Sequence, residues 1–484
     1  MKLSIWIITR LMGRVLLVQG LFLMVPALLS VAWGETIAGA FLLPAVCTMI
    51  LGLLSFCIPE EKRGINIRES LVLVVLCWVI VSLIGAFPFV LSGAIPDCVD
   101  ALFETVSGFT TTGATILPDI EALPKSVLFW RSFTHWIGGL GVLVFLFFIV
   151  PLLDGGAFRI FKAESPSTMK KASRTKDTVR MLLITYVILT FSMTVLLRLG
   201  GMSWYDAAVH TFSTVATAGF STYNASIGHF DSHYINVVTT VYMTLSGVNF
   251  FIIFAVLQGR VREAVKDEEL RLYLCIIGVS SLLIAWNLWG QQLFATPLIC
   301  LEHAAFQVSS IITTTGFATV DYNYWPSLSK FILFMLTFVG ACSSSTTCAI
   351  KVVRILILGK CIRRTMFRTV HPKSVRPIRL NGKVVSEEYV QGVQSFFLLF
   401  MLLFVVGTIL TICMEGGDLD MITAMSATAT TLSNVGPGLE LVGPYNNFGF
   451  LSSGTKLLEI LLMLIGRLEL YTMMPLFFPN FWKS

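Results

Sequence analysis

Thr110-Thr111-Thr112-Gly113-Ala114-Thr115 is an uncharged turn of small residues between a short apolar segment and a long apolar one. The pattern recurs as Ala216-Thr217-Ala218-Gly219-Phe220, as Thr313-Thr314-Thr315-Gly316-Phe317 and, with more divergence, as Ser433-Asn434-Val435-Gly436-Pro437. The four glycines lie about 100 residues apart, a spacing that predicts a fourfold internal repeat.

The similarity extends upstream of each glycine. An alanine stands twelve residues before it and a hydroxyl residue six before it, at Ala101, Ala207, Ala304 and Ala424 and at Ser107, Ser213, Ser310 and Thr430. Four equivalent turns around one axis would place their backbone carbonyls in rings that replace the water shell of a cation. Glycine suits such a turn because it reaches positive φ without a Cβ clash. The alternative is four ordinary glycine loops between membrane helices.

The composition indicates a polytopic membrane protein. Of the 484 residues, 55% are hydrophobic and 13% charged, and the mean hydropathy is +0.81. About ten spans of ~20 residues would use nearly the whole chain, so no soluble catalytic domain fits. The ten cysteines and six histidines have no metal-like or disulfide-like spacing, and no catalytic or nucleotide-binding motif stands in a plausible context. We therefore predict that the chain is not an enzyme.

We predict an all-α fold in which a two-helix hairpin within residues 1–60 precedes four pseudo-symmetric repeats around a central pore. The repeats take residues 61–155, 156–262, 263–360 and 361–484. Each contains a first helix, a short re-entrant pore helix, a turn and a second helix. The pore helices are expected at 97–109, 204–215, 297–312 and 418–432, and the second helices at 125–151, 233–258, 328–358 and 454–478. The pore helices are too short to cross a membrane and need a water-lined pore.

Most of the 34 Lys and Arg residues lie at the termini and in the long links, which the positive-inside rule places in the cytoplasm. The four turns then open outward. Carboxylates such as Glu104, Asp206 and Glu302 cluster near the pore helices. One interpretation is that they cap helices, a role for which Asp418 and Asp420 are well placed. The other is that they create a negative potential at the outer mouth of the pore.

The repeat pattern resembles the TrkH/KtrB/HKT superfamily of potassium transporters. Within it, the leading hairpin, residues 107–115 and the sequence from Arg131 through Trp136-Ile137-Gly138-Gly139-Leu140-Gly141 are similar to the TrkH branch, since the KtrB and HKT branches typically lack the hairpin. The resemblance covers essentially the whole chain. It implies that potassium is held by Thr110, Thr111, Thr112, Gly113, Thr217, Ala218, Gly219, Thr314, Thr315, Gly316, Asn434, Val435 and Gly436. It also implies a homodimer in a bacterial inner membrane, bound by a cytoplasmic nucleotide-binding subunit of the TrkA type. No cofactor other than potassium and no nucleic acid is expected.

A run of small and hydroxyl residues interrupts the long span of the third repeat: Gly340-Ala341-Cys342-Ser343-Ser344-Ser345-Thr346-Thr347-Cys348-Ala349. The resemblance implies an intramembrane loop that gates the pore, although the family usually carries more glycine in the second half of this stretch. The alternative is a tightly packed helix, since small residues allow close helix contacts. The expected gate residues are Gly340, Ser343, Ser344, Ser345, Thr346, Thr347 and Arg467.

Arg467 lies inside the last apolar span, too deep to reach water by extending its side chain. It either pairs with Glu459 or backbone carbonyls, or acts as a fixed charge below the turns that repels cations and helps to hold the loop. The basic link at 359–383 either contacts anionic lipid or docks the cytoplasmic partner.

The sequence thus predicts potassium uptake through a selective pore gated by the loop and by a regulatory subunit. One alternative is a symporter coupled to sodium or protons, which the lack of an evident pore-facing carboxylate in mid-membrane disfavours. The alternative from another class is a membrane receptor or enzyme whose repeats are purely structural.

Overall fold

Helices dominate the computed structural model, which describes residues 4–59, 65–149, 175–417 and 419–482. The predicted charged link at 60–64, the boundary between the first two repeats and the predicted cap Asp418 lie outside the described residues.

The chain begins with a hairpin of α1 (Ile5–Ala32) and α2 (Ala38–Leu54), followed by one 3₁₀ turn, Ser55–Cys57. Glycines bring the two helices close together. A Cβ atom at Gly13 would overlap the Ser55 side chain, and one at Gly52 would lie 2.8 Å from the Gly13 carbonyl oxygen. Small residues allow helices to approach this closely. Close packing matters in a membrane, because apolar helices surrounded by lipid gain no hydrophobic free energy by pairing.

The first repeat consists of α3 (Ile67–Leu91), the pore helix α4 (Cys98–Phe109) and α5 (Lys125–Ile149). The Asp97 carboxylate caps α4 by accepting hydrogen bonds from the backbone N–H groups of Val99 and Asp100.

The second repeat consists of α6 (Thr175–Leu199), the pore helix α7 (Trp204–Val215), α8 (His233–Ser246) and α9 (Phe250–Leu257). The prediction of one helix over 233–258 is wrong, because α8 and α9 meet at an angle of 108°. At the bend the Gly247 carbonyl accepts a 3.0 Å hydrogen bond from the N–H of Cys342 in the third repeat instead of one from its own helix.

A short helix, α10 (Val261–Lys266), leads into the third repeat. This repeat consists of α11 (Glu268–Gly290), the pore helix α12 (Pro297–Ile312), α13 (Ser327–Thr337) and α14 (Val352–Val370). Residues 338–351 between α13 and α14 are not helical, so the predicted span at 328–358 is interrupted.

A small antiparallel ribbon, β1 (Arg379–Leu380) and β2 (Lys383–Val384), precedes the fourth repeat. The repeat consists of α15 (Glu387–Met414), the pore helix α16 (Met421–Ser433), α17 (Ser453–Arg467) and α18 (Leu470–Met473), and the chain ends with the 3₁₀ turn Met474–Phe477 and α19 (Pro479–Trp482). The predicted single helix over 454–478 is wrong, because the chain bends by 105° after Arg467.

Six helices within the described residues are long and apolar enough to cross a membrane, or up to eight if each bent pair forms one span. All four pore helices are shorter than these spans, and side chains of Asp97, Ser203, Thr296 and Asp420 cap their N-termini. The capping role that the sequence suggested for Asp420 is therefore present. The pore helices end inside the protein, where the four turns follow.

Candidate ion pathway

The four turns form a closed ring, and we call residues 110–113, 216–219, 313–316 and 433–436 the filter turns. A Cβ atom built on each glycine would lie no more than 2.6 Å from the backbone of the next turn. These approaches run from Gly113 to Gly219, from Gly219 to Thr315, from Gly316 to Val435, and from Gly436 back to Thr112. Side chains at these positions would push the turns apart. The glycine repeated in all four turns is therefore explained by the close packing of the ring.

The filter turns share an unusual backbone conformation. The residue two before each glycine has a positive φ, at Thr111 (54°), Thr217 (56°), Thr314 (54°) and Asn434 (55°). For a β-branched residue this region is strained, and such strain concentrates at functional sites. Gly113, Gly316 and Gly436 also have positive φ values, of 80°, 81° and 99°. Gly219 does not, so the repeated glycine owes its place there to the close approach of the next turn.

The same backbone hydrogen bond holds each turn to its pore helix. The N–H of the residue before each glycine donates to the carbonyl five residues earlier. The pairs are Thr112 to Ser107 (2.9 Å), Ala218 to Ser213 (2.9 Å), Thr315 to Ser310 (2.8 Å) and Val435 to Thr430 (2.8 Å). The acceptors are the residues that the sequence alignment placed six before each glycine, so the fourth turn is built like the others despite its divergent sequence.

All four filter glycines line one cleft of about 620 Å³, part of it open to solvent, on the side where the chain continues after the turns. The wall also contains four polar residues, Asn224, Tyr445, Asn446 and Asn447. Among the described residues that line the cleft, Arg131 is the only charged one.

Arg131 is fully buried against Glu104, with Nε 2.7 Å from Oε1. The Glu104 carboxylate also accepts a 3.0 Å hydrogen bond from the N–H of Ile116, and Arg131 Nη1 donates to the Ser221 carbonyl at 3.3 Å. The guanidinium lies 4.2 Å from the centre of the Phe220 ring. This pair therefore fastens the chain that leaves the first filter turn to the chain that leaves the second.

Three further carboxylates near the pore helices form ion pairs. Asp100 pairs with Lys456, Glu302 with His233 and Glu440 with Lys330. Within the described part of the chain, no carboxylate lines the cleft itself. The geometry favours their roles as caps and ties between segments over direct contact with an ion.

Residues 340–349, which we call the crossing loop, are unwound and almost completely buried. Ser344 and Ala349 have φ values of 56° and 58°. The packed-helix alternative for this stretch is therefore wrong. The Glu269 carboxylate fixes one end of the loop by accepting hydrogen bonds from the N–H (2.6 Å) and hydroxyl (2.7 Å) of Ser343.

The crossing loop contacts two filter turns on the side opposite the cleft. The hydroxyl oxygens of Thr346 and Thr217 lie 3.1 Å apart, and the backbone N–H of Cys348 donates a 3.4 Å hydrogen bond to the Thr314 hydroxyl. The Thr346 hydroxyl also donates to the Val215 carbonyl at the end of α7, at 3.3 Å. The loop thus packs against the second and third filter turns.

Arg467, the last residue of α17, holds the crossing loop from the fourth repeat. Its Nη1 donates to the Thr346 carbonyl at 2.8 Å and lies 3.2 Å from the Cys348 sulfur, and its Nη2 donates to the Gly138 carbonyl at 3.0 Å. Of the two partners predicted for a structural tie, Glu459 is wrong, whereas the pairing of Arg467 with backbone carbonyls is confirmed. Glu459 accepts hydrogen bonds from the hydroxyls of Thr411 and Thr431 instead.

Sequence reasoning missed Glu269, Gly138 and Gly466 as parts of this site. A Cβ atom at Gly138 or Gly466 would overlap the carbonyl of Phe109 or Leu432, each four residues before a filter glycine. The sequence did contain a signal for the two glycines, because they occupy similar positions in the second helices of the first and fourth repeats. Glu269 offered none, because its partner Ser343 is distant in the sequence.

The fold and site define a class of membrane protein built from four repeats, each with one short pore helix. The pore helices end in a fourfold ring of backbone turns, and an unwound segment packs beneath the ring. A family profile described as "Cation transport protein" matches residues 40–484, and the chain belongs to this TrkH family.

Among its relatives, the Trk system potassium uptake protein TrkH of Escherichia coli K12 is 34% identical over 484 residues, covering 99% of each chain. The Trk system potassium uptake protein TrkG of the same organism is 32% identical over 485 residues, again covering 99% of each. The crystal structure of the potassium transporter TrkH from Vibrio parahaemolyticus superimposes with a TM-score of 0.91 at 33% identity, covering 99% of this chain and 100% of that one.

These comparisons confirm the predicted family and the fourfold helix, pore helix and helix architecture. The chain is a multi-pass membrane protein of a family of transporters, so the prediction that it is not an enzyme is also confirmed.

Proposed function

We propose that the chain takes up potassium across a bacterial inner membrane through the ring of filter turns. The observation that carries this proposal is the closure of four equivalent turns, each with the same hydrogen bond to its pore helix and a positive φ two residues before the glycine. The backbone carbonyls of residues 110–113, 217–219, 314–316 and 434–436 are the proposed ligands of the dehydrated ion. The relatives named as potassium uptake proteins support this choice of ion.

Gating by the crossing loop is the second part of the proposal. The loop touches the second and third filter turns directly, and Arg467 attaches it to the first and fourth repeats. Permeation therefore requires the loop to move. Gly340, Ser343, Ser344, Ser345, Thr346, Thr347 and Arg467 remain the proposed gate residues.

A cytoplasmic regulatory subunit of the TrkA type is the proposed source of that movement, acting on a homodimer with both termini in the cytoplasm. Support comes from α14, which joins the loop to the basic link. Arg363, Arg368 and Lys373 beyond the loop are exposed, as docking to a partner or to anionic lipid requires.

A channel mechanism is favoured over symport by the position of the buried carboxylate of Glu459. Glu459 is completely buried, and both of its carboxylate oxygens accept hydrogen bonds from threonines of neighbouring helices. A coupling carboxylate would need to face the permeating ion, whereas Glu459 lies behind the fourth pore helix.

Flux measurements on the purified protein in liposomes test the proposal. Potassium and rubidium are expected to pass in preference to sodium, and reversal potentials are expected to follow the potassium gradient alone. A dependence of the reversal potential on sodium or protons would instead establish symport. If neither the native protein nor a variant lacking residues 343–347 passes any ion, the chain is a receptor or other non-transporting protein.

A further inference from the structure

The residue nine positions before each filter glycine has a common role in the first two repeats. We call it the brace residue of its repeat, and the four brace residues are Glu104, His210, Gln307 and Ala427. In the first repeat, the Thr115 hydroxyl donates a 3.0 Å hydrogen bond to the Glu104 carboxylate. In the second, the Ser221 hydroxyl lies 2.9 Å from Nε2 of His210. Both hydroxyls stand two residues after the filter glycine, so each brace residue connects a pore helix to the chain that leaves its turn.

The same two hydroxyls also bind the backbone. Thr115 Oγ1 accepts a 3.1 Å hydrogen bond from the N–H of Leu117. Ser221 Oγ accepts one of the same length from the N–H of Tyr223. Each hydroxyl therefore bridges its brace residue and an N–H group two residues further along the chain.

The third repeat has a polar brace residue but lacks the hydroxyl, because the residue two after its filter glycine is Ala318. Gln307 is completely buried, and among the described residues neither its Oε1 nor its Nε2 has a hydrogen-bond partner. The N–H of Val320, two residues after Ala318, likewise donates to no group in the described part of the chain. The two groups that a hydroxyl bridges in the other repeats are thus both without it here.

Contacts on both sides place the missing hydroxyl beside Gln307. The Ser310 hydroxyl, one helical turn after Gln307, donates to the Phe317 carbonyl at 2.6 Å. Nδ1 of His303, one turn before Gln307, lies 2.9 Å from Oγ1 of Thr319. Residues three and four apart share one face of a helix, so the chain between these two contacts passes Gln307.

The second repeat has the same two contacts at equivalent positions. Ser213 donates to the Phe220 carbonyl at 2.9 Å, and the Thr222 hydroxyl donates to the Asp206 carboxylate at 3.0 Å{E_PLACEHOLDER}

Discussion

Nη1 of Arg467 donates a 2.8 Å hydrogen bond to the carbonyl oxygen of Thr346, although the two residues belong to the fourth and third repeats. The same guanidinium reaches Gly138 in the first repeat, and the Thr346 side chain reaches Thr217 in the second. All four repeats thus meet at one point beneath the ring. The crossing loop is therefore connected to the other three repeats by direct contacts or through Arg467.

Arg467→Ala is expected to increase potassium flux about tenfold, because hydrogen bonds from a charged donor to the loop are lost together with a positive charge on the path. The preference for potassium over sodium should stay the same, since the filter turns are untouched. Liposome flux and reversal potentials of the folded variant measure both quantities.

Arg467→Lys separates the two causes of that increase. A lysine keeps the charge, but its single ammonium group cannot reproduce the fork that spans Thr346 and Gly138. If tethering of the loop matters, the lysine variant conducts more than the native protein; if the charge alone matters, it conducts equally. Native or lower flux in Arg467→Ala would show that the arginine is only a structural tie.

Serine at Gly113 or Gly316 is expected to reduce the preference for potassium over sodium about tenfold, or ~1.4 kcal/mol. The new Cβ would stand in a left-handed backbone, at a strain of roughly 1–2 kcal/mol, and within 2.6 Å of the next turn. Relief of this clash moves the carbonyls away from the ion.

Gly259→Ser is the matched control for that experiment. Gly259 has the same φ of 80° as Gly113, but a Cβ atom there would meet no other atom within 4 Å. This variant should be mildly destabilised and keep the native ion preference. If both filter variants also keep it, the turns do not determine selectivity.

Deletion of residues 343–347 is expected to raise potassium flux in the absence of any partner, because the segment that contacts the second filter turn and Arg467 is removed. Regulation by a cytoplasmic partner should weaken at the same time. Stable protein with low flux would contradict the gating role. Ser343→Ala is a milder companion, since it removes the hydroxyl that donates to Glu269 and retains the loop.

Local sequence patterns correctly predicted those helices whose first and last residues are determined by neighbouring residues in the sequence. The pore helices at 204–215 and 297–312 have the predicted bounds, because a capping residue precedes each and a filter turn follows. The four turns were predictable for the same reason, since a glycine marks each close approach. Residues at equivalent positions of the four repeats pack against equivalent neighbours.

The bends after Ser246 and Arg467 were not predicted, although each has a polar residue beside it, Asn249 as the cap of α9 and Glu469 after Arg467. The break at Gly247 is also fixed by a hydrogen bond from Cys342, nearly one hundred residues away in the sequence. The partners of Arg467 likewise come from two other repeats. Contacts of this kind depend on how the repeats assemble around the crossing loop, which a single repeat does not encode.

The buried pair of Glu104 and Arg131 gives the last prediction. Glu104→Ala is expected to destabilise the protein by about 3–5 kcal/mol, because it leaves a guanidinium buried without its carboxylate. The double variant Glu104→Leu with Arg131→Met should recover much of this loss, since two apolar side chains remove both desolvated charges. Thermal unfolding of the protein in detergent measures both effects.

The same double variant tests whether the pair also shapes the ring. Glu104 accepts from Ile116 and Arg131 donates to Ser221, so their loss frees the chain that leaves the first two filter turns. A stable double variant with a weaker preference for potassium over sodium is therefore expected. The exposed pair of Arg260 and Glu263, 39% and 45% exposed, is the control, because removing it should cost less than ~1 kcal/mol and leave selectivity unchanged. Native selectivity in the stable double variant would restrict the buried pair to a role in stability, because the ring would then hold its geometry without the link between Ile116 and Ser221.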